Sequence, residues 1–260
     1  TASSSTVLYG DQTYKTEPTG ITTASFRPNV NPLIINGDTK VAQRSAAATG
    51  ITADGNYATD RFYVRATNGG TWTMYLNAGA GGNAAADGFP TSIWMDNTTA
   101  DASLGAGDYL RVEQRIEAQD CQVLKYGGAN AEILTLGFWV YCTKTGIYIV
   151  ELYQPDDDRS CSQSYTIDVT DTWEYKVLNF PADTTGVIDD NNGNGLTVTF
   201  WMAAGTDYTS GTLNETWNST VAANRAVGQV NAADSTSNNF QLTGIQLEAG
   251  DYTSSTLPPF

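Results

Sequence analysis

Residues 190–195, Asp190-Asn191-Asn192-Gly193-Asn194-Gly195, place side-chain oxygens at alternate positions ahead of a glycine. That is the first half of a calcium loop of the form D-x-[DN]-x-[DN]-G, in which Asp190, Asn192 and Asn194 would be ligands and glycine would permit the sharp turn. The twelfth position, where a bidentate Glu belongs, is Trp201. The same residues therefore also read as a plain Asn/Gly turn before a strand. Asp156-Asp157-Asp158 is a second acidic run, read as a solvated loop with some capacity for a cation. Structural calcium is the one cofactor these residues admit.

Stacking is the second chemistry on offer. Trp94, Trp201 and Trp217 are candidate glycan platforms, because an indole presents a flat apolar face that a sugar ring can cover. Trp139 belongs with them, and the competing expectation for each tryptophan is a place in the core or at an interface. Bond-breaking chemistry is narrowed by the absence of histidine, which removes Ser-His-Asp and Cys-His sites and the commonest zinc sites. With 28 Asp+Glu, a carboxylate-pair glycosidase stays open in principle, but no spacing singles out a pair. No catalytic residue is assigned and a non-enzymatic protein is expected. Cys121, Cys142 and Cys161 are odd in number and match no metal spacing, so buried thiols from a reducing cytoplasm are expected.

The charge balance bounds the partners. Thirteen Lys+Arg against 28 Asp+Glu give a formal net charge of −15, which disfavours nucleic acid and anionic membrane surfaces. No apolar run approaches the ~18 residues of a membrane span, and TASSSTVLYG lacks the charged and apolar regions of a signal peptide. No membrane insertion is expected. The N-x-[ST] matches at Asn97, Asn214 and Asn218 carry no weight without such a signal.

The elements that must position these residues read as strands. Residues 1–31 form an arm with scattered apolar residues, expected to order only against another surface. PLIING opens the strands at residue 32, before a turn at Asn36-Gly37-Asp38. RFYVRAT (61–67) and TWTMYLN (71–77) flank Asn68-Gly69-Gly70 and predict a hairpin. Residues 78–89 read as a flexible loop or a loosely wrapped excursion, and SIWMD (92–96) as a strand. DYLRVEQRIEA (108–118) alternates Leu110, Val112 and Ile116 with Arg111, Glu113, Arg115 and Glu117, predicting a solvated charged face. ILTLGFWVYC (133–142) is apolar on both faces and is placed mid-sandwich, with GIYIVELYQ (146–154) as its hairpin partner. SYTIDV (164–169) joins WEYKVLNF (173–180) through Thr170-Asp171-Thr172. LTVTFWM (196–202) is another strand, and 204–238 a long polar insertion, functional or packed at an interface. In FQLTGIQLEAG (240–250), Phe240 and Leu242 share a face with Ile245 and Leu247 only if Thr243-Gly244 is a bulge. The sum is all-β, antiparallel, a jelly-roll β-sandwich over 32–260.

Two resemblances sharpen this reading. PLIINGD near residue 32 and FQLTGIQLE near residue 240 resemble the first and last strands of jelly-roll carbohydrate-binding modules, many of which hold a structural calcium through acidic groups in those two places. Here the turn runs Asn36-Gly37-Asp38-Thr39-Lys40 and the closing pair is Thr243-Gly244, so the resemblance implies the fold without that calcium site. Over roughly residues 24–260, NPLIINGD, GDYLRVEQRIEAQD, LTLGFWV, DTWEYKVLNFPADTTG, LTVTFWMAAGTDYTSGTLN, ANRAVGQVN and ADSTSNNFQLTGIQLEAGDYTSSTLPPF resemble a family of tailed-phage virion proteins labelled structural or tail-fibre. That likeness implies a virion-surface protein made in the host cytoplasm. It would be held to capsid or tail proteins through residues 1–31 and, by analogy with decoration and fibre proteins, assembled as a homotrimer. The leading expectation is a capsid decoration or head-fibre protein. The alternative is a receptor-binding tail-fibre protein that recognises host surface glycans.

Overall fold

The computed structural model describes residues 6–8, 14–16, 32–78 and 88–260. Strands β1 (Thr6–Leu8) and β2 (Tyr14–Thr16) pair with each other antiparallel. The remainder of the 1–31 arm, with its expected anchoring role, and the middle of the 78–89 loop lie outside the described residues. The sandwich is built from β3 (Ala47–Ile51), β4 (Tyr63–Thr67), β5 (Thr71–Ala78), β6 (Thr91–Thr99), β7 (Tyr109–Glu117), β8 (Leu134–Cys142), β9 (Gly146–Gln154), β10 (Arg159–Ile167), β11 (Thr172–Phe180), β12 (Asn194–Ala204), β13 (Asn218–Ser219) and β14 (Asn239–Ala249). Two six-stranded sheets result, the first ordered β11-β8-β14-β6-β5-β3 and the second β13-β10-β9-β12-β7-β4, with every ladder antiparallel.

Strand alternation supplies the core. Trp72, Met74, Ile93, Met95, Phe138, Val140, Phe240 and Leu242 from the first sheet meet Val64, Leu110, Val112, Tyr148, Val150, Val198 and Phe200 from the second, all buried. Each such side chain contributes roughly 1.5–3 kcal/mol by leaving water. Phe138 and Phe200 touch edge to face across the sheets at 5.2 Å. The bulge in β14 is present: its pairing with β8 shifts between Thr243 and Gln246, and Gly244 takes φ +57°. Phe240, Leu242, Ile245 and Leu247 therefore all face the core.

Four expectations about elements are corrected. The segments on either side of Asn68-Gly69-Gly70 do not pair: β4 lies in the second sheet and β5 in the first. Each carries one fully buried apolar face, Phe62 and Val64 against Trp72 and Met74, and both faces are satisfied only if the chain crosses the core. The same holds for β8 to β9 and for β10 to β11, whereas β9 and β10 are the true hairpin. PLIING is not a strand. Leu33 and Ile34 are buried, and the segment is tied down where Ile35 N–H donates to Gln114 Oε1 at 2.7 Å and Gln114 Nε2 donates back to Ile35 O at 2.9 Å. Only part of the β7 charge row is solvated: Arg111 is 8% and Glu113 4% exposed, whereas Arg115 is exposed as expected and Glu117 is half-buried. Finally, the second apolar face of β8 is not in the core; it points outward.

The 204–238 insertion accounts for the burial of Trp201, the ring over which Arg111 lies. It folds back over the outward face of the second sheet, packing Tyr208, Leu213 and Ala226 on Trp201 and Ile149. Arg225 from this segment forks onto Glu151, Nε to Oε1 at 2.6 Å and Nη2 to Oε2 at 2.9 Å. The chain end is also accounted for: Tyr252 N–H donates to Thr135 Oγ1, and Gln246 Nε2 donates to Pro258 O at 2.9 Å. DYTSSTLPPF thus runs along the first sheet.

All three cysteines are free and buried. Burial pushes the Cys121 and Cys161 thiols up to about 12, against an ordinary thiol near 8.5. Their folded state holds the protonated form. The stability they confer is complete below about pH 8.5 and is lost as pH rises toward 12. We expect no reaction with a thiol-specific disulfide reagent at pH 8 in the native state and three equivalents after denaturation. Rapid labelling of the native protein would contradict this burial.

Candidate site on an aromatic sheet face

Because cross-strand partners share a face, the register of the first sheet decides what its outward side carries. One row runs Tyr75 (β5), Trp94 (β6), Gln241 (β14), Tyr141 (β8), Trp173 (β11). The adjacent row holds Thr243, Trp139 and Tyr175. Six aromatic side chains therefore gather on one face, and all six are half-buried. They lie in tilted pairs: Tyr75 and Trp94 at 5.4 Å, Trp139 and Tyr175 at 5.3 Å, Tyr141 and Trp173 at 5.6 Å. From β5 to β11 the row crosses four inter-strand steps, about 19 Å at ~4.8 Å each.

Polar groups are interleaved with the rings. Gln241 Oε1 accepts from Asn77 Nδ2 at 3.2 Å and from Ser92 Oγ at 3.0 Å, which fixes its amide between Trp94 and Tyr141. Tyr141 Oη donates to Asp171 Oδ1 at 3.0 Å. Asp96, two residues beyond Trp94 on the same face, has its carboxyl raised above the usual carboxylate range by burial. At the far end a cavity of about 540 Å³ opens between Trp139 and Tyr175 on the sheet and Leu257, Pro258 and Phe260 of the chain end. Small residues make that end possible. A Cβ at Gly137 would meet Leu257 and the Tyr175 hydroxyl at 2.5 and 2.6 Å, and one at Gly244 would press on the Phe89 ring at 2.9 Å.

The residues singled out in the sequence separate. Trp94 and Trp139 belong to this face. Trp201 is fully buried on the other sheet, its Nε1 donating to Glu151 Oε2 at 3.1 Å and its ring covered by Arg111 at 4.7 Å and Arg225 at 5.4 Å. Trp217 is buried against Tyr126 at 5.5 Å and donates to Pro181 O at 2.7 Å. Both rings are closed to a ligand by their own chain. Tyr75, Tyr141, Trp173 and Tyr175 were not singled out, although Trp139-Val140-Tyr141 and Trp173-Glu174-Tyr175 each set two aromatics on one side of a strand.

The half calcium loop is committed elsewhere. Asn191 Oδ1 accepts from Gly193 N–H at 2.6 Å, and the backbone carbonyls of Asn191 and Gly193 accept from Gln119 and Ala118. Asn192 and Asn194 line a cavity with Arg44, Arg61 and Arg115, surroundings that disfavour a divalent cation. Asp190 is exposed and does not line that cavity. Asp156 and Asp157 accept from the backbone N–H groups of Asp189 and Val187. Among the described residues no group of three or more Asp, Glu, Cys or His side chains is arranged to hold a metal.

Asp183, 1% exposed, takes Arg159 on both oxygens, and the other two buried carboxylates form a compensated network. Glu151 is 0% exposed and takes Arg225 on both oxygens, with Arg111 Nη1 at 3.8 Å. Glu113 accepts from Arg115 Nε at 3.1 Å and Nη2 at 2.9 Å, with Arg111 Nε at 3.9 Å. Burial, followed by the charge of Arg225, lowers Arg111 from the ordinary arginine value.

No family model matches the chain, and no curated protein does. Solved structures with a related architecture include the enzymatically active domain of tailspike protein 4 of bacteriophage CBA120, at 11% identity and TM-score 0.39 over 84% of this chain. The chain spans only 21% of the length of that domain's chain. The family 11 carbohydrate-binding module of Clostridium thermocellum, in complex with a β-1,3-1,4-mixed-linked tetrasaccharide, is 12% identical with TM-score 0.39, over 81% of this chain and 100% of the module. The CBM22-1–GH10 modules of C. thermocellum endo-1,4-β-D-xylanase 10B, complexed with xylohexaose, are 11% identical with TM-score 0.37, over 79% and 28% of the two chains. What the site can do rests on its own residues.

Proposed function

We propose that this protein is a non-enzymatic glycan-binding β-sandwich that stacks an oligosaccharide across the outward face of its first sheet. The observation that carries the proposal is the set of six half-buried aromatics on one face, spaced by polar side chains. A monomeric sandwich gains more by covering six large rings than by leaving them half open, so an open aromatic face marks a surface kept for a partner. Flat rings with interleaved hydrogen-bonding groups suit a ligand that has both an apolar ring face and a rim of hydroxyls. A span of about 19 Å suits an oligosaccharide rather than a single sugar.

The resemblance to tailed-phage virion proteins supplies the setting, a virion surface, with the 1–31 arm as the attachment to capsid or tail. Within it, the aromatic face favours host-glycan recognition over decoration alone, because decoration has no use for an open stacking surface. The three carboxylates buried among the described residues, Glu113, Glu151 and Asp183, favour binding without cleavage, since each is engaged by an arginine. The test is to pass the full chain over an array of bacterial surface polysaccharides and assay the same glycans for reducing ends. Retention without release of reducing ends is expected. Absence of retention on every glycan would remove the binding assignment, and release of reducing ends would replace it with a hydrolase.

A further inference from the structure

The chain carries a net charge of −15, yet six of its eight arginines, Arg44, Arg61, Arg65, Arg111, Arg115 and Arg225, collect on or beside the outward face of the second sheet. Three of them, Arg44, Arg61 and Arg115, converge on a cavity of about 460 Å³ that holds one carboxylate, Glu117. Arg115 is held by Glu113 and lies over the Tyr63 ring at 5.2 Å. Arg44 and Arg61 have no carboxylate partner among the described residues; Arg44 Nη1 reaches only Asn56 O, at 3.4 Å. The nearby Asp60 carboxylate accepts the Gln43 N–H instead. Arg61 also holds φ at +74°, a left-handed backbone that costs a non-glycine residue about 1–3 kcal/mol.

Like charges gathered in a concavity repel one another, and an acidic protein had many carboxylates with which to neutralise them. Guanidinium forks match the paired oxygens of carboxylate, sulfate and phosphate. The Tyr63 ring and the amides of Asn56, Asn192 and Asn194 line the same cavity and would suit a sugar that bears such a group. We propose that this cavity is an oxyanion-binding subsite that receives the acidic substituent of a charged saccharide. It lies on the opposite sheet from the aromatic face and is independent of it.

Calorimetric titration of the full chain tests this with uronic-acid, sulfated and phosphorylated trisaccharides, their neutral counterpart, and inorganic phosphate. At least one acidic trisaccharide is expected to bind, at least tenfold more tightly than the neutral one, with affinity falling as salt is raised. The variant Arg44→Gln/Arg61→Gln should lose that tenfold, whereas Trp139→Ala/Trp173→Ala should keep it. Arg44→Gln alone, on an exposed loop, should lose part of it and serves if the double variant does not fold. Failure of all three acidic ligands, or their undiminished binding to the arginine variants, would overturn the subsite. Inorganic phosphate binding as tightly as the saccharides would overturn the assignment to a sugar and leave a free-anion site. Neither result bears on the aromatic face.

Discussion

Replacing Glu151 by alanine is expected to destabilise the fold by about 3–5 kcal/mol, the largest effect of any single change on the outward face of the second sheet. Glu151 has no exposure to water, accepts both prongs of Arg225 and the indole N–H of Trp201, and faces Arg111. Its removal would leave two guanidiniums close together without their counter-charge. It would also release the Arg225 clamp that holds the long insertion over Trp201. Glu151→Gln should cost less than alanine, because an amide still accepts a hydrogen bond and fills the volume. Urea unfolding followed by tryptophan fluorescence reads both. A loss below about 1 kcal/mol for the alanine variant would mean that the network tolerates the missing charge and that the insertion is held by its apolar contacts.

The second large effect is on binding. Trp139→Ala and Trp173→Ala should each weaken glycan affinity by about 2 kcal/mol, some thirty-fold, the size seen for a central aromatic in an interface. Each should cost only about 0.5–1.5 kcal/mol of stability, the worth of its cross-strand aromatic pair with Tyr175 or Tyr141. That separation of binding from stability distinguishes a recognition face from misplaced core. Equal losses in both quantities would argue for a structural role. Trp72→Ala is the internal contrast: its ring is fully buried and its Nε1 donates to Gly69 O at 2.7 Å, so it should act on stability.

Much of the architecture can be read in the residues. Alternation in 108–118 and 196–202, and the Thr243-Gly244 phase change, predict the strands, their core-facing rows and the bulge, because a period of two fixes which side chains share a face. Sheet membership was not readable. Asn68-Gly69-Gly70 supplies positive φ at Asn68 and Gly70 equally well for a hairpin or for a corner between sheets. The choice is made by the buried faces on either side. The burial of Arg111 and Trp201 has one cause: the 204–238 insertion folds back on them through Tyr208, Leu213, Ala226 and Arg225, a segment without the strand period that would announce its packing. Trp94 and Trp139 are legible as candidates, whereas Tyr75 is hidden because its place beside Trp94 depends on register. Trp139, Tyr141, Trp173 and Tyr175 had a local signal in their i, i+2 spacing. An outward aromatic strand and a fully buried one, however, look alike until the packing is known.

On the proposed function, the aromatic face, and no other tryptophan-bearing surface, takes the glycan. The six indole N–H resonances divide evenly for this purpose, with Trp94, Trp139 and Trp173 on the face and Trp72, Trp201 and Trp217 buried. We would titrate the ¹⁵N-labelled full chain with the glycan retained on the array and follow these six signals. The three face indoles are expected to move together and saturate while the three buried ones stay fixed. Movement of Trp201 or Trp217 with the face unchanged would contradict this assignment.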